Sequence, residues 1–417
     1  MAGAPINKIF GGALLVAGTC IGAGMLALPV ATAAAGFGPS FFAFVFCWLM
    51  MILSAFLMLE VSLWYPIDTN LITMAKSTLG RPGEIIAWCA YVLFLYALMT
   101  AYTAGAAGII ANALAKIGIN ESWGIWIVVA IFATIVYFGA QWVDWANRIM
   151  MMGLIGAYIL LTINIIPNVS KEMLGGGNAK YLWTTAPLLV TSFGFHLLIP
   201  TLKNYLSSDV KALRWSILLG SLLPLIVYLI WEVLIIGVIP VKGESGLVAI
   251  LHAEHFTGKQ AVIELTQLLN DILKNEHVTL FARIFGLCAL LTSFIGVSLG
   301  LFDFFADGFL IKKTLKGRFS LAGLTFLPPV LMAMFYPRFI TALHYAGFFA
   351  AILLVIFPAL MVWWGRYRLQ IAQGYRVAGG KPVIVITLLF GLGVIVLEIL
   401  HRLNQLPTPL AEMHLFN

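Results

Sequence analysis

Two apolar segments of this chain break in the same way about 170 residues apart. Leu14 to Pro29 reads LLVAGTCIGAGMLALP, and Leu188 to Pro200 reads LLVTSFGFHLLIP. Each opens on Leu-Leu-Val, runs into glycine and small residues where a membrane helix would continue, and resumes as an apolar stretch that ends at proline. A helix interrupted inside hydrocarbon frees backbone N–H and C=O groups, which are tolerated only where protein, water or a ligand satisfies them. Two such interruptions in corresponding halves point to one shared polar site near the bilayer midplane.

The rest of the chain has the same solvent. Hydrophobic residues make up 62% and charged residues 10% of 417 positions, against about 25% charged in a soluble domain. The fold class expected is an all-α polytopic membrane protein. Eleven spans are expected, in about 9–35, 40–64, 84–114, 124–142, 148–167, 184–205, 214–238, 277–307, 320–336, 339–363 and 382–402. Five spans are an odd number, so two five-span units run in opposite senses: repeat one over about 9–167, repeat two over about 184–363 and an extra helix at about 382–402, all in one transmembrane domain over 1–417. The first segment is too long and Gly-rich for a cleaved signal sequence. Cys20, Cys47, Cys89 and Cys288 all fall in apolar segments and read as free buried thiols.

A net charge of +7 does not mark a nucleic-acid surface, because the basic residues are scattered over short loops. With the N-terminus cytoplasmic, roughly fifteen of the 24 Lys and Arg fall on the inner side, among them Lys203, Lys211, Lys312, Lys313, Arg366 and Arg368. The C-terminus is then periplasmic. The longest connection, about 239–276, is external, and its amphipathic stretch Gln260 to Leu273 reads as a helix lying over the outer face.

The candidate site is read from both breaks. Gly22, Ala23 and Gly24, beside Thr19, let a ligand reach bare backbone. The start of a resumed half-helix presents free N–H groups suited to a carboxylate, and the carbonyls before the break suit an ammonium. Gly18 and Gly22 also have the spacing of a helix-packing motif. The second break supplies Ser192, Phe193, Gly194, Phe195 and His196, with two rings able to stack on a ligand and one titratable imidazole. Tyr96 lies near the middle of the third span. Candidates for handling a coupling ion are Glu60 and Glu232, as intramembrane acids, and Thr292 and Ser293, as hydroxyls in the middle of the eighth span. No metal cluster, phosphate loop or nucleophile with a base is found, and no cofactor is expected. A membrane enzyme would show paired acids or a metal cluster at one depth, and a receptor would lack the paired breaks.

The segments VAGTCIGAGMLALP, TSFGFH, TSFIGVSLGLFDFFAD, TFLPP followed by FYPR, and YRVAGGKP resemble the bacterial aromatic amino acid permease family. The likeness covers almost the whole chain and is strongest to the tyrosine-specific permeases. It implies an inner-membrane symporter of the amino acid/polyamine/organocation superfamily, with the fold of the bacterial leucine transporter, importing an aromatic L-amino acid with protons. It also implies a substrate carboxylate on the backbone of Gly22 to Gly24, an amine at the carbonyls near Thr19 and Ser192, and an aromatic ring toward Tyr96, Phe193 and Phe195. Proton-coupled relatives often place a lysine in span five; here Asn147 to Leu154 ends on leucine at that place. Thr292 and Ser293 match the hydroxyls that hold sodium in sodium-coupled relatives. A sodium-coupled carrier of other neutral amino acids is therefore the alternative.

Overall fold

A computed structural model describes residues 6–67, 69–115, 117–120, 123–243, 246–257 and 261–409. Among them, nine helices are long and apolar enough to cross a bilayer. The first span is the broken pair Ile6–Cys20 and Gly24–Ala35, bent by 57°. The fourth expected span, about 124–142, is Trp123–Phe138, whose 16 residues reach about 24 Å at ~1.5 Å per residue, short of the ~30 Å hydrocarbon core. It lies against the third, Leu71–Ala115.

The remaining spans, in order, are Phe37–Leu63, Leu71–Ala115, Gln141–Asn168, Ala179–Tyr205, Val210–Ile236, Glu276–Gly308, Leu315–Phe335, Phe339–Tyr367 and Gly380–Arg402. The third begins earlier than the hydropathy pattern indicates. Gly80 takes φ +73°, so Leu71 to Leu79 forms a short arm turned away from the long helix, a conformation open to glycine and strained for other residues. Below, the near face is the side on which Ile6 starts, and the far face is the other.

Close crossings hold the bundle together. A Cβ at Gly347 would come 2.1 Å from the Pro187 carbonyl oxygen, and one at Gly220 would come 2.6 Å from the Ala13 carbonyl oxygen. Lipid tails are as apolar as leucine, so helices in a bilayer associate through this kind of close backbone approach. Leu14, Phe42, Ile159, Leu223 and Leu389 point outward. Most of the interior is one apolar cluster that includes residues of both broken spans, with a small second cluster at Ala34, Ala35, Tyr181 and Val248.

Two features depart from the sequence pattern. Lys203, counted there as an inner-side charge, is buried, and its Nζ donates to the carbonyls of Ser62, Tyr65 and Pro66 at 2.8, 2.6 and 3.2 Å. A cation thus caps the C-terminal end of the second span, where the helix dipole favours it. Of the four free cysteines, Cys20 and Cys47 are buried, Cys288 is half-buried and Cys89 is exposed, which corrects the uniform burial expected.

The long connection holds two helices, Leu247–Thr257 and Ala261–Leu273; Gln260, where the second was expected to start, lies outside the described residues. Leu247–Thr257 lies against the resumed half of the first span. Its Glu254 is buried and accepts from the backbone N–H of Ile340 at 2.6 Å and of Thr341 at 3.4 Å, at the start of the tenth span.

Candidate functional site between the two broken helices

The first break begins after Cys20. Ile21, Gly22 and Ala23 leave the helix, which restarts at Gly24. The Ala23 N–H donates to Ser293 Oγ on the eighth span at 3.1 Å, so this freed donor is met by a hydroxyl from across the bundle. Glycine is needed for that approach, because a Cβ at Gly22 would sit 2.1 Å from Ser293 Oγ. At Gly24 a Cβ would sit 2.9 Å from Ser192 Oγ. One break therefore lies directly against the other. Tyr102, buried on the third span, lies within polar reach of Ser293.

The second break follows Ala186–Ser192. Phe193, Gly194 and Phe195 leave the helix, which regains order through a 3-10 turn at His196–Leu198 and continues as Ile199–Tyr205. Both phenylalanines are buried. The Phe193 ring lies 5.3 Å from that of Tyr228, and Phe195 lies 5.1 Å from the His196 imidazole. His196 is buried and neither ring nitrogen makes a hydrogen bond of good geometry, although the Met51 backbone lies within polar reach.

Tyr228, on the seventh span, joins the two. Its hydroxyl lies 2.6 Å from the Cys20 carbonyl oxygen and 2.9 Å from the Ser192 carbonyl oxygen, the last carbonyls before each break. A phenol has one hydrogen to donate. Two freed carbonyls converge on it, and one of them at any moment has no hydrogen from this donor. The arrangement leaves a carbonyl available to a cation or an ammonium beside an N–H end available to an anion, which is a binding chemistry.

The structure brings together Gly22, Ala23, Gly24, Ser192, Phe193 and Ser293, with Phe195 and His196 on the far side of the second break. Thr19 is exposed and its hydroxyl bonds back to the Leu15 carbonyl at 2.9 Å. Tyr96 lies elsewhere, donating to the Leu324 carbonyl at 2.7 Å beside Phe305. Thr292 bonds to its own helix through the Cys288 carbonyl at 2.8 Å. Glu60 is buried in an ion pair with Arg366, whose Nε donates to it at 2.6 Å, and also accepts from the Val377 N–H at 2.7 Å. Glu232 is buried against Thr32.

Sequence reasoning passed over Tyr228 entirely and preferred Tyr96 to Tyr102. The available signal was the pair Tyr228 and Glu232, two polar residues at i and i+4 on one face of an otherwise apolar helix.

The family model for the tryptophan/tyrosine permeases matches residues 5–398. This chain belongs to the tryptophan/tyrosine permease family. It is 34% identical over 409 residues to the "Tyrosine-specific transport system 2" of Haemophilus influenzae, covering 96% of this chain and 98% of that one. It is 32% identical over 411 residues to the "Tryptophan-specific transport protein" of Pseudomonas aeruginosa, covering 96% of each. Among solved structures, its fold matches that of MhsT in complex with L-phenylalanine, with a TM-score of 0.65 at 14% identity, over 95% of this chain and 98% of that one. The protein is thus a multi-pass membrane transport protein with the leucine-transporter fold and not an enzyme.

Proposed function

We propose that this permease imports an aromatic L-amino acid, tyrosine foremost, with protons across the bacterial inner membrane by alternating access around the two breaks. The observation that carries the site is Tyr228, whose hydroxyl meets the freed carbonyls of Cys20 and Ser192 together. The substrate carboxylate is assigned to the backbone at Gly22 to Gly24 and its ammonium to the Cys20 and Ser192 carbonyls. Its ring goes toward Phe193 and Phe195. The names of the relatives support the substrate class, and the Lys and Arg bias supports a cytoplasmic N-terminus with a periplasmic C-terminus. The two five-span repeats about 9–167 and 184–363 are part of this reading. In that orientation a cavity of about 270 Å³ lined by Met58, Asn70, Tyr91, Leu197, Pro200 and Asn204 lies toward the cytoplasm, beside the resumed half of the sixth span, and serves as an exit route.

A second reading, sodium coupling, has one observation in its favour: Ser293 reaches the first break, as a sodium-holding hydroxyl between spans one and eight would. Proteoliposomes separate the two. Labelled tyrosine, phenylalanine and tryptophan are offered under separately imposed proton and sodium gradients. Tyrosine accumulation that persists without sodium and collapses with a protonophore is expected. Uptake that requires sodium and fails in Ser293→Ala establishes the second reading instead.

A further inference from the structure

We propose that the Glu232 carboxyl is the binding site of the coupling proton and that it must be protonated for the far face to close; the inference rests on the proton-driven reading above. Thr32 ends the resumed half of the first span, and Glu232 faces it from the seventh; both are completely buried. Thr32 Oγ1 lies 2.8 Å from the Leu28 carbonyl oxygen, the ordinary bond of a helical threonine to its own preceding turn. The same oxygen makes a short contact with Glu232 Oε1. A hydroxyl has one hydrogen. Thr32 can donate to only one of the two; with its hydrogen on Leu28, the contact with Glu232 is a hydrogen bond only when the acid is neutral and donates.

The surroundings agree. Glu232 Oε2 has no hydrogen-bond partner among the described residues. The titratable and charged groups on the elements around it offer no counter-charge. They include Tyr228 one turn back on its own helix, Cys20 on the first span, Cys47 on the second, and on the fifth the exposed Asp144–Arg148 pair and Tyr158, which donates to the Val227 carbonyl at 3.0 Å. The exposed Lys171 and Glu172 lie on the short helix Lys171–Leu174, and on the second span Glu60 is already paired with Arg366. The resumed half of the first span, GMLALPVAT, has no titratable residue. An ionised carboxylate here would be an isolated charge in apolar surroundings, a cost of several kcal/mol even after relaxation.

Opening the far face moves the first span's resumed half away from the seventh, admits water and lets the carboxyl ionise. Reclosing then requires a proton from the far-side water on Glu232, which the carboxyl gives back to water at the near face when that side opens. Tyr228, one turn toward the breaks, ties this event to the substrate site.

The experiment compares wild type with Glu232→Gln and Glu232→Asp in proteoliposomes. It reads tyrosine exchange without a gradient and accumulation driven by a pH gradient. Glu232→Gln, a permanent mimic of the neutral acid, is expected to exchange at a rate that no longer varies with pH and to lose accumulation. Glu232→Asp is expected to regain pH-driven accumulation. Wild-type accumulation in Glu232→Gln, or loss of exchange in a folded Glu232→Gln protein, overturns the proposal. Infrared spectra of wild type and the near-isosteric Thr32→Val provide a test that needs no change at Glu232. The carbonyl band of a protonated acid is expected to shift, and an unshifted spectrum also overturns the proposal. Wild-type protein that accumulates no tyrosine under a pH gradient defeats the proton-driven reading itself, a different result from failure of Glu232 alone.

Discussion

At the first break Gly22, Ala23 and Gly24 bring bare backbone against Ser293 and Ser192, while at the second Phe193 and Phe195 bury two rings and the chain resumes through a 3-10 turn. The first offers N–H groups and no side-chain bulk. The second offers aromatic surface beside one glycine. An aromatic amino acid has the same division, with a zwitterionic end that needs backbone and a ring that needs stacking. The two breaks differ in chemistry while sharing the same kind of interruption, and their last carbonyls converge on Tyr228.

The largest effect is expected from bulk at the first break. Gly24→Val should abolish measurable tyrosine binding and, with Ser192 displaced, cost about 1–3 kcal/mol of stability. Gly156→Val, at a position with nothing within 4 Å of its Cβ, is the control and should stay close to wild type. Affinity and thermal unfolding are measured on the same purified proteins; wild-type affinity in a folded Gly24→Val protein removes the first break from the site.

Tyr228→Phe keeps the ring against Phe193 but takes away the only hydrogen the Tyr228 side chain donates to the two carbonyls. A stability loss of about 1–3 kcal/mol is expected, with weaker binding of tyrosine. If the breaks act independently, binding is unchanged and the comparison above fails. Phe193→Leu is expected to do less, because it removes an aromatic contact worth about 0.5–1.5 kcal/mol. It should lower affinity for tyrosine and phenylalanine alike. An effect confined to tyrosine would place the substrate hydroxyl, and not its ring, beside this residue.

The smallest effect concerns the helix Leu247–Thr257, which lies against the first span's resumed half and is tied to the start of the tenth span through Glu254. Burial of Glu254 raises its pKa from 4.5 to about 7, against the lowering effect of the Ile340 and Thr341 N–H groups. A docked acid with a raised pKa binds its proton more tightly than the undocked one. Docking is therefore strongest below pH 4.5, weakens as pH rises from 4.5 to about 7 and levels off above. Hydrogen exchange of this helix, corrected for intrinsic rate, should accelerate across that window, and Glu254→Gln should flatten the profile. A flat wild-type profile means Glu254 does not hold the helix.

Much of this was legible in the chain because a bilayer punishes irregular backbone. The paired breaks, the apolar spans and the need for Gly22 and Gly24 follow from the sequence, since in hydrocarbon each freed N–H or C=O requires a reason. The placement of partners was not legible. Tyr96 and Tyr102 are six positions apart on the same long helix, and no local pattern says that Tyr102 reaches Ser293 while Tyr96 turns to Leu324. Lys203 counts as an inner-side charge at the end of the sixth span by hydropathy, yet its ammonium is buried and caps the second span. Glu60 and Glu232 look alike as acids in apolar runs; one meets Arg366, the other a threonine.

The sequence by itself determined the solvent of this protein, its helical class, its family and the two places where its helices stop. Tertiary structure alone decided which side chains answer the freed backbone groups, because those partners come from spans tens to hundreds of residues away. Periodicity reports which face of a helix is apolar, and the rotation and depth at which that face meets its neighbour are set only by packing.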